Sequence, residues 1–206
     1  GMVAGNTRHY AATVDKLMQS IGSRDDEIIF GLCVFVNRGR TIVIADTNVI
    51  EYPTSEELAS IAKSSARVAK LLGLDPKIAF LSHSTFGQPE TDRTKRISKA
   101  VEMLKDEKVD FLFDGEMQPD VALNNKYKGT YSFSNIVGSA NVLVMPSIHA
   151  AAISIKMLKE LSRGKVFGPL LIGLAQPIEV APLRSSSSEI LNLASIAAYS
   201  SEIIKY

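Results

Sequence analysis

Three carboxylates stand within seven residues in Asp114-Gly115-Glu116-Met117-Gln118-Pro119-Asp120, directly after the apolar run Phe111-Leu112-Phe113. Ligands bind at the carboxyl ends of strands in an open α/β sheet, so charge gathered there serves either a working site or a buried structural network. As a working site, the stretch would bind a metal or supply acid and base. No other Asp, Glu or His cluster in the chain has metal-ligand spacing, so no metal site is expected. As structure, Asp114 and Asp120 would order the turn from strand to helix, with Pro119 and Asp120 opening a helix ahead of Val121-Ala122-Leu123. Gln118 is then the member most free to face a ligand.

A second spot is Ser82-His83-Ser84-Thr85-Phe86-Gly87-Gln88, after an apolar strand ending at Leu81. Its hydroxyls and backbone amides suit a phosphate or another anion, and they equally suit a self-satisfied turn. A Ser-His nucleophile is not expected. Neighbours one or two apart in an extended loop point away from each other, and the chain has no Gly-x-Ser-x-Gly elbow. His9 and His149 read as surface or capping residues. Arg184, just before the serine run 185–188 and a helix start at Ser186, forms a third spot. A guanidinium and a helix N-terminus attract an anion in the same sense, although an exposed loop arginine explains Arg184 equally well.

The elements that must position these groups alternate between helix and strand. Apolar spacing predicts a helix over 9–21, then β-branched strands over 28–36 and 41–45 joined by Asn37-Arg38-Gly39-Arg40 as a hairpin. Thr54 and Glu57 form a capping box after Pro53, and Leu58, Ile61, Ala62, Val68, Ala69 and Leu72 make a helical stripe closed by Gly73. Strands are expected at 77–81, 109–113, 141–145 and 166–173, the last containing Pro169. Helices are expected at 91–105, at 149–163 with Ile153, Met157, Leu158 and Leu161 inward, and from a Ser186/Glu189 cap to Tyr199. Helices between short apolar strands imply βαβ units, hence an α/β fold with a mostly parallel sheet flanked by helices and one antiparallel hairpin.

Composition sets the outer bounds. The chain has 206 residues, 46% hydrophobic and 22% charged, with Lys plus Arg at 23 against Asp plus Glu at 22, enough for a real core and without a basic footprint for nucleic acid. No apolar run is long enough to span a bilayer, so neither nucleic acid nor membrane is expected as a partner. The single cysteine, Cys33, excludes an internal disulfide and reads as a small buried hydrophobe; a cytoplasmic location is expected. Gly1 before Met2 reads as the scar of a tag.

Five motifs stand in a telling order: Arg38-Gly-Arg-Thr-Ile-Val-Ile-Ala-Asp-Thr47, Leu81-Ser-His-Ser-Thr-Phe-Gly87, Asp114-Gly-Glu-Met-Gln-Pro-Asp-Val-Ala-Leu123, Gly138-Ser-Ala-Asn-Val-Leu-Val-Met-Pro146 and Gly168-Pro-Leu-Leu-Ile-Gly173. Together they resemble the phosphate acetyltransferase family, and more closely the phosphotransacetylase-like C-terminal region of large bacterial NADP-dependent malic enzymes. The resemblance runs from Met2-Val-Ala-Gly5 to Tyr199. It implies an isocitrate/isopropylmalate dehydrogenase-like architecture of the phosphate acetyltransferase type. It also implies that residues 1–206 form the later part of a two-lobed unit, with the preceding lobe and the malic enzyme catalytic domain outside them.

Departures from the family pattern bear on activity. Active members carry Ser-Arg-Gly-Cys-Ser before the last helix and a Lys in a Ser-Thr-Lys-Gly loop. Aligned without gaps between Pro177-Ile178 and Ile190-Leu191-Asn192, this chain has Pro182 and Leu183 at the catalytic Ser and Arg, and Ser185 at the Cys. Phe86 stands at the loop Lys, while Glu189 corresponds to the family's acid. Losing a preorganised cation at developing phosphate charge costs about two to three powers of ten in rate. No catalytic residue is therefore expected, Arg184 being one position away from the lost arginine.

The resemblance then implies a regulatory and oligomerising region that senses acetyl-CoA. Its ligand contacts would be Ser82, Ser84, Thr85, Gln118, Arg184, Ser185 and Glu189. The implied partners are a malic enzyme domain upstream in the same chain and further copies of it, at least as a dimer. NADP and a divalent metal, Mg or Mn, are implied for that upstream domain and no cofactor for residues 1–206. An active phosphate acetyltransferase, converting acetyl-CoA and phosphate into acetyl phosphate and CoA, is the alternative. A purely structural dimerisation module, using the apolar helix 149–163 and strand 166–173, is a third reading.

Overall fold

Thr54 and Glu57 satisfy each other's exposed helix-end groups: the Thr54 Oγ1 accepts from the Glu57 amide at 3.2 Å and the Glu57 carboxylate accepts from the Thr54 amide at 2.7 Å. Such a cap contributes about 1 kcal/mol and starts the longest early helix where the sequence places it. A computed structural model describes residues 1–25, 27–127 and 129–203. In chain order the elements are β1 (Met2–Gly5), α1 (Tyr10–Ile21), β2 (Phe30–Asn37), β3 (Arg40–Ala45), α2 (Ser55–Leu71), β4 (Lys77–Leu81), α3 (Asp92–Glu107), β5 (Leu112–Met117), α4 (Pro119–Leu123), β6 (Val142–Val144), α5 (Ile148–Leu161), β7 (Lys165–Ile172), β8 (Ile178–Ala181) and α6 (Ser187–Ile203).

Six strands form the main sheet in the order β5-β4-β6-β3-β2-β7. β3, β6, β4 and β5 run parallel, so the carboxyl ends of these four strands share one edge. β2 is antiparallel to both β3 and β7, which corrects the expected single antiparallel hairpin: β7 joins as a second antiparallel neighbour. The expected β2–β3 hairpin is present, its register closing on Asn37 and Arg40. Arg38 and Gly39 both take positive φ there, 49° and 76°, the geometry a two-residue turn needs to match strand twist. A separate parallel pair, β1 with β8, was not expected as strands at all; each has only four residues.

Alternation along the strands divides the core between two faces. On one face Val43, Ala45, Ile78, Phe80, Val142 and Val144 meet Leu58, Ile61 and Ala62 of α2, Ile97 and Leu104 of α3, and Leu193 of α6. On the other, Cys33, Ile42, Ile44, Ala79, Leu81 and Met117 meet Ala122 of α4 and Ala151 and Ile155 of α5. Val14 and Leu17 of α1 pack with Leu171, Ile178 and Val180, joining the small sheet to the end of β7.

Three expectations are corrected. The strand expected over 109–113 is displaced to Leu112–Met117, so Asp114 and Glu116 lie within β5 instead of in a turn after it. Leu72, expected on the buried stripe of α2, follows the helix and is exposed. In α5 the expected inward residues Ile153, Met157 and Leu161 are 61%, 53% and 80% exposed, while Ala151 and Ile155 face the core. That helix is apolar on two faces, and the smaller residues fit against the sheet.

Candidate functional site

β5 carries Glu116 into the interior, where the residue is 1% exposed. Its Oε1 accepts from the Ser84 hydroxyl at 2.9 Å and from the Gly87 amide at 2.8 Å, and its Oε2 accepts from the Ser98 hydroxyl at 2.6 Å. Burial, the largest single influence, opposes ionisation. The bonds from Ser98, Gly87 and Ser84 outweigh it and hold the carboxyl below its ordinary range. Glu116 thus fixes the hydroxyl loop after β4 to the strand beside it. No role for Glu116 follows from the sequence, because Ser84, Gly87 and Ser98 lie far from it along the chain.

The loop residues are used largely by one another. Ser82 Oγ lies 3.1 Å from Ser84 Oγ, and the Ser84 amide also donates to Ser82. Thr85 Oγ1 accepts from the Gln118 amide at 3.2 Å. The Gln118 side chain is exposed and donates through Nε2 to the His83 carbonyl at 2.8 Å. Four of the expected contacts, Ser82, Ser84, Thr85 and Gln118, are therefore brought together around the ends of β4 and β5. Phe86, at φ 49°, turns its ring onto Phe133 and Tyr131 at centroid distances of 4.8 and 5.6 Å. Asp114 accepts from the Gly115 and Asn135 amides, and Asp120 lies exposed in the first turn of α4.

Arg184, Ser185 and Glu189 lie elsewhere. The Glu189 carboxylate accepts from the Ser186 amide and hydroxyl at 2.8 and 2.9 Å, and the Glu189 amide donates back to Ser186 Oγ at 3.2 Å, the expected cap. The Ser186 amide and then its hydroxyl hold this carboxyl below its usual range. Ser185 donates its hydroxyl to the Pro182 carbonyl at 2.9 Å. Arg184 is exposed at φ 66° and, among the described residues, forms no ion pair. The helix these residues enter packs on β1, β7 and β8. Four strand spacings separate β7 from β4, roughly 19 Å.

A cleft that the sequence did not reveal opens at the shared carboxyl edge, between the ends of β4 and β6 and the first turns of α3 and α5. It has a volume of ≈ 320 Å³, and its polar lining includes Tyr52, Ser82, His83, Arg93, Arg96 and Ser147. Of these, Ser82 alone is among the ligand contacts that the resemblance implies.

An α/β domain with a mostly parallel sheet, a hydroxyl loop at one strand end and a cleft beside it defines a class of small-molecule-binding folds. The Phosphate acetyl/butaryl transferase family model matches residues 1–198, and the chain belongs to that family. It is 46% identical to an NADP-dependent malic enzyme of Rhizobium meliloti (strain 1021) over 97% of this chain and 26% of that protein. It is 32% identical to a phosphate acetyltransferase of Bacillus subtilis (strain 168), over 96% of this chain and 62% of that protein. Among solved structures, a phosphotransacetylase from Streptococcus pyogenes superposes with a TM-score of 0.91 at 31% identity, covering 98% of this chain and 63% of that one. The chain thus spans about a quarter of the length of the malic enzyme it matches.

Proposed function

We propose that this chain is the regulatory and oligomerising region of an NADP-dependent malic enzyme, that it senses acetyl-CoA, and that it does not itself transfer acetyl groups. The observation that carries the reading is the 46% identity to a malic enzyme; the family resemblance, which implies Pro182 and Leu183 at the positions of the catalytic Ser and Arg, supports it. Phe86, half-buried against Tyr131 and Phe133 in place of the loop lysine, supports it as well. In this reading the isocitrate/isopropylmalate dehydrogenase-like architecture supplies the frame, and the oxidative decarboxylation of malate to pyruvate belongs to an upstream domain. NADP and a divalent Mg or Mn belong there too. Among the described residues no group of three or more His, Cys, Asp or Glu is placed to hold a metal ion, so no step is assigned to one here.

An effector regulates only if it distinguishes two states, and the coupling is typically worth about 1–3 kcal/mol. The exposed stripe Ile153, Met157 and Leu161 supports self-association, because an apolar helix face of this kind is stabilised by a partner surface. Calorimetric titration of acetyl-CoA into the full-length protein tests the reading. Saturable binding that changes malate turnover is expected, and no binding at millimolar ligand would sink it. The alternative, an active phosphate acetyltransferase, is favoured by one observation: Arg184, beside the cap of α6, forms no ion pair among the described residues. It requires CoA-dependent turnover of acetyl phosphate that disappears in Arg184→Ala.

A further inference from the structure

The chain passes between the small sheet and the main sheet at two places, Gly22 to Asp25 on the way from α1 to β2 and Gly173 to Pro177 on the way from β7 to β8. These crossings lie side by side. The Arg24 amide donates to the Gly173 carbonyl at 2.9 Å, and the Ala175 amide to the Gly22 carbonyl at 3.1 Å. A few loop residues gathered in this way have the form of a hinge between two bodies. Beside the crossings the contact is apolar, with Val14 and Leu17 of α1 and Val180 of β8 in one cluster with Leu171 and Leu174.

One carboxyl lies in this seam. Glu179 stands on β8 in register with Val3 of β1, and its Oε2 accepts the amide of Leu171 on β7, the outermost strand of the main sheet, at 3.0 Å. It is 4% exposed, and among the described residues no Lys, Arg or His pairs with it. A carboxyl buried without a cation keeps its proton, because the charged form has lost its water and gained no counter-charge. From α1 it is approached by Tyr10, whose buried hydroxyl has no hydrogen-bond partner among the described residues. Burial first, then Glu179, Cys33 and Asp46, raise that hydroxyl's hold on its proton. The Asp46 carboxylate is itself committed to four backbone amides. β1 has no titratable side chain, and Asp15 and Lys16 of α1, Lys165 of β7 and Glu189 and Tyr199 of α6 are exposed.

We propose that Glu179 is a latch worked by a proton: protonated, it closes the small sheet onto β7, and loss of the proton lets β1, α1, β8 and α6 swing away about the two crossings. The closed form holds a proton that the open form, with Glu179 in water, releases above about pH 4.5. Opening is therefore favoured by up to about tenfold per pH unit from there to about 8, and levels off beyond. The latch stands apart from the effector reading, since it needs no ligand.

Amide hydrogen exchange on this chain, read by NMR with each rate divided by the intrinsic rate at the same pH, is the test. The Leu171 amide, which Glu179 covers, is expected to be at least about tenfold less protected than the amides of the central strands β3, β4 and β6, because it is freed by a local opening. Its protection should fall at least about tenfold between about pH 6 and pH 8. Glu179→Gln matches the parent in shape and still accepts from Leu171, so the same amide should then keep its protection over that range. Infrared spectroscopy supplies a second reading, a carbonyl band of a protonated carboxyl at about pH 6 that is missing from Glu179→Gln. Protection of Leu171 equal to that of the central strands overturns the proposal, because the seam then opens only when the whole fold does. A decline that persists in Glu179→Gln, no decline in the parent, or no Glu179-dependent band overturns it as well.

Discussion

The hydroxyl of Ser98 on α3 and the carboxylate of Glu116 on β5 meet at 2.6 Å, tying the helix that carries Arg93 and Arg96 to the strand that anchors the hydroxyl loop. The tie is also why the acidic stretch is structural at Glu116 while Gln118 remains exposed at the surface.

Removing the tie has a definite cost. Glu116→Ala strands the hydroxyls of Ser84 and Ser98 and the amide of Gly87, and should destabilise the fold by about 3–5 kcal/mol. Glu116→Gln, which retains acceptor capacity on one side, should lose about 1–3 kcal/mol. Urea denaturation checks both, and an alanine variant as stable as the parent would exclude the role assigned to Glu116.

Two buried carboxyls give stability opposite dependences on pH. The affinity of Glu116 for protons is lowered in the fold, so its stabilisation is present above about pH 4.5 and is lost as pH falls through its folded value. Glu179, 4% exposed on β8 and accepting the Leu171 amide at 3.0 Å, is pushed up by burial to about 8. The folded state then holds a proton that the unfolded state releases above about pH 4.5, so stability declines as pH rises from there toward 8. Glu179→Gln should abolish that alkaline decline. Thermal melts from pH 4 to 9 measure it, and a parent curve flat between 5 and 8 would exclude the assignment.

Gly31 has no room for a methyl group. A Cβ there would stand 2.9 Å from Thr47 Oγ1, 3.0 Å from the Asn48 amide and 3.1 Å from Asp46 Oδ1. Asp46 meanwhile gathers the amides of Gly31, Asn48, Val49 and Ile50 at the end of β3, on the segment that leads to Tyr52. Gly31→Ala should cost about 1–3 kcal/mol by displacing that segment. Chemical denaturation reads the loss, and a variant as stable as the parent would exclude the close approach.

How much was legible depended on whether the deciding contacts were local. The α2 cap, the Arg38-Gly39 turn and β4 were read correctly because neighbours within four residues settle them. β5 lies further along the chain than its apolar run suggests because Glu116 within it is satisfied by Ser84, Gly87 and Ser98, which no local pattern connects to it. The outward stripe of α5 was read inward because periodicity cannot choose between two apolar faces; the choice belongs to the sheet, which accepts Ala151 and Ile155. The arginine cleft is illegible in the sequence for the same reason, since its walls come from five separate parts of the chain.

That stripe supplies a further prediction. Substituting Ile153, Met157 and Leu161 together by Ser should change stability by no more than about 0.5 kcal/mol per site, because each is mostly exposed. Self-association should be lost in sedimentation velocity. Ile155→Ser, buried on the opposite face, should destabilise without that selectivity.

The pairing of Met2 with Ile178 and Gly5 with Ala181 has a consequence for synthesis. Chains emerge from the ribosome beginning with their first residues, and domains begin to fold as they emerge. Met2–Gly5 therefore waits without its β8 partner while the six strands from β2 to β7 are made, and finds that neighbour only when Ala181 has cleared the exit tunnel. Until then it is an open edge available to any other strand nearby, and a nascent chain delayed before β8 is the species most exposed to mispairing.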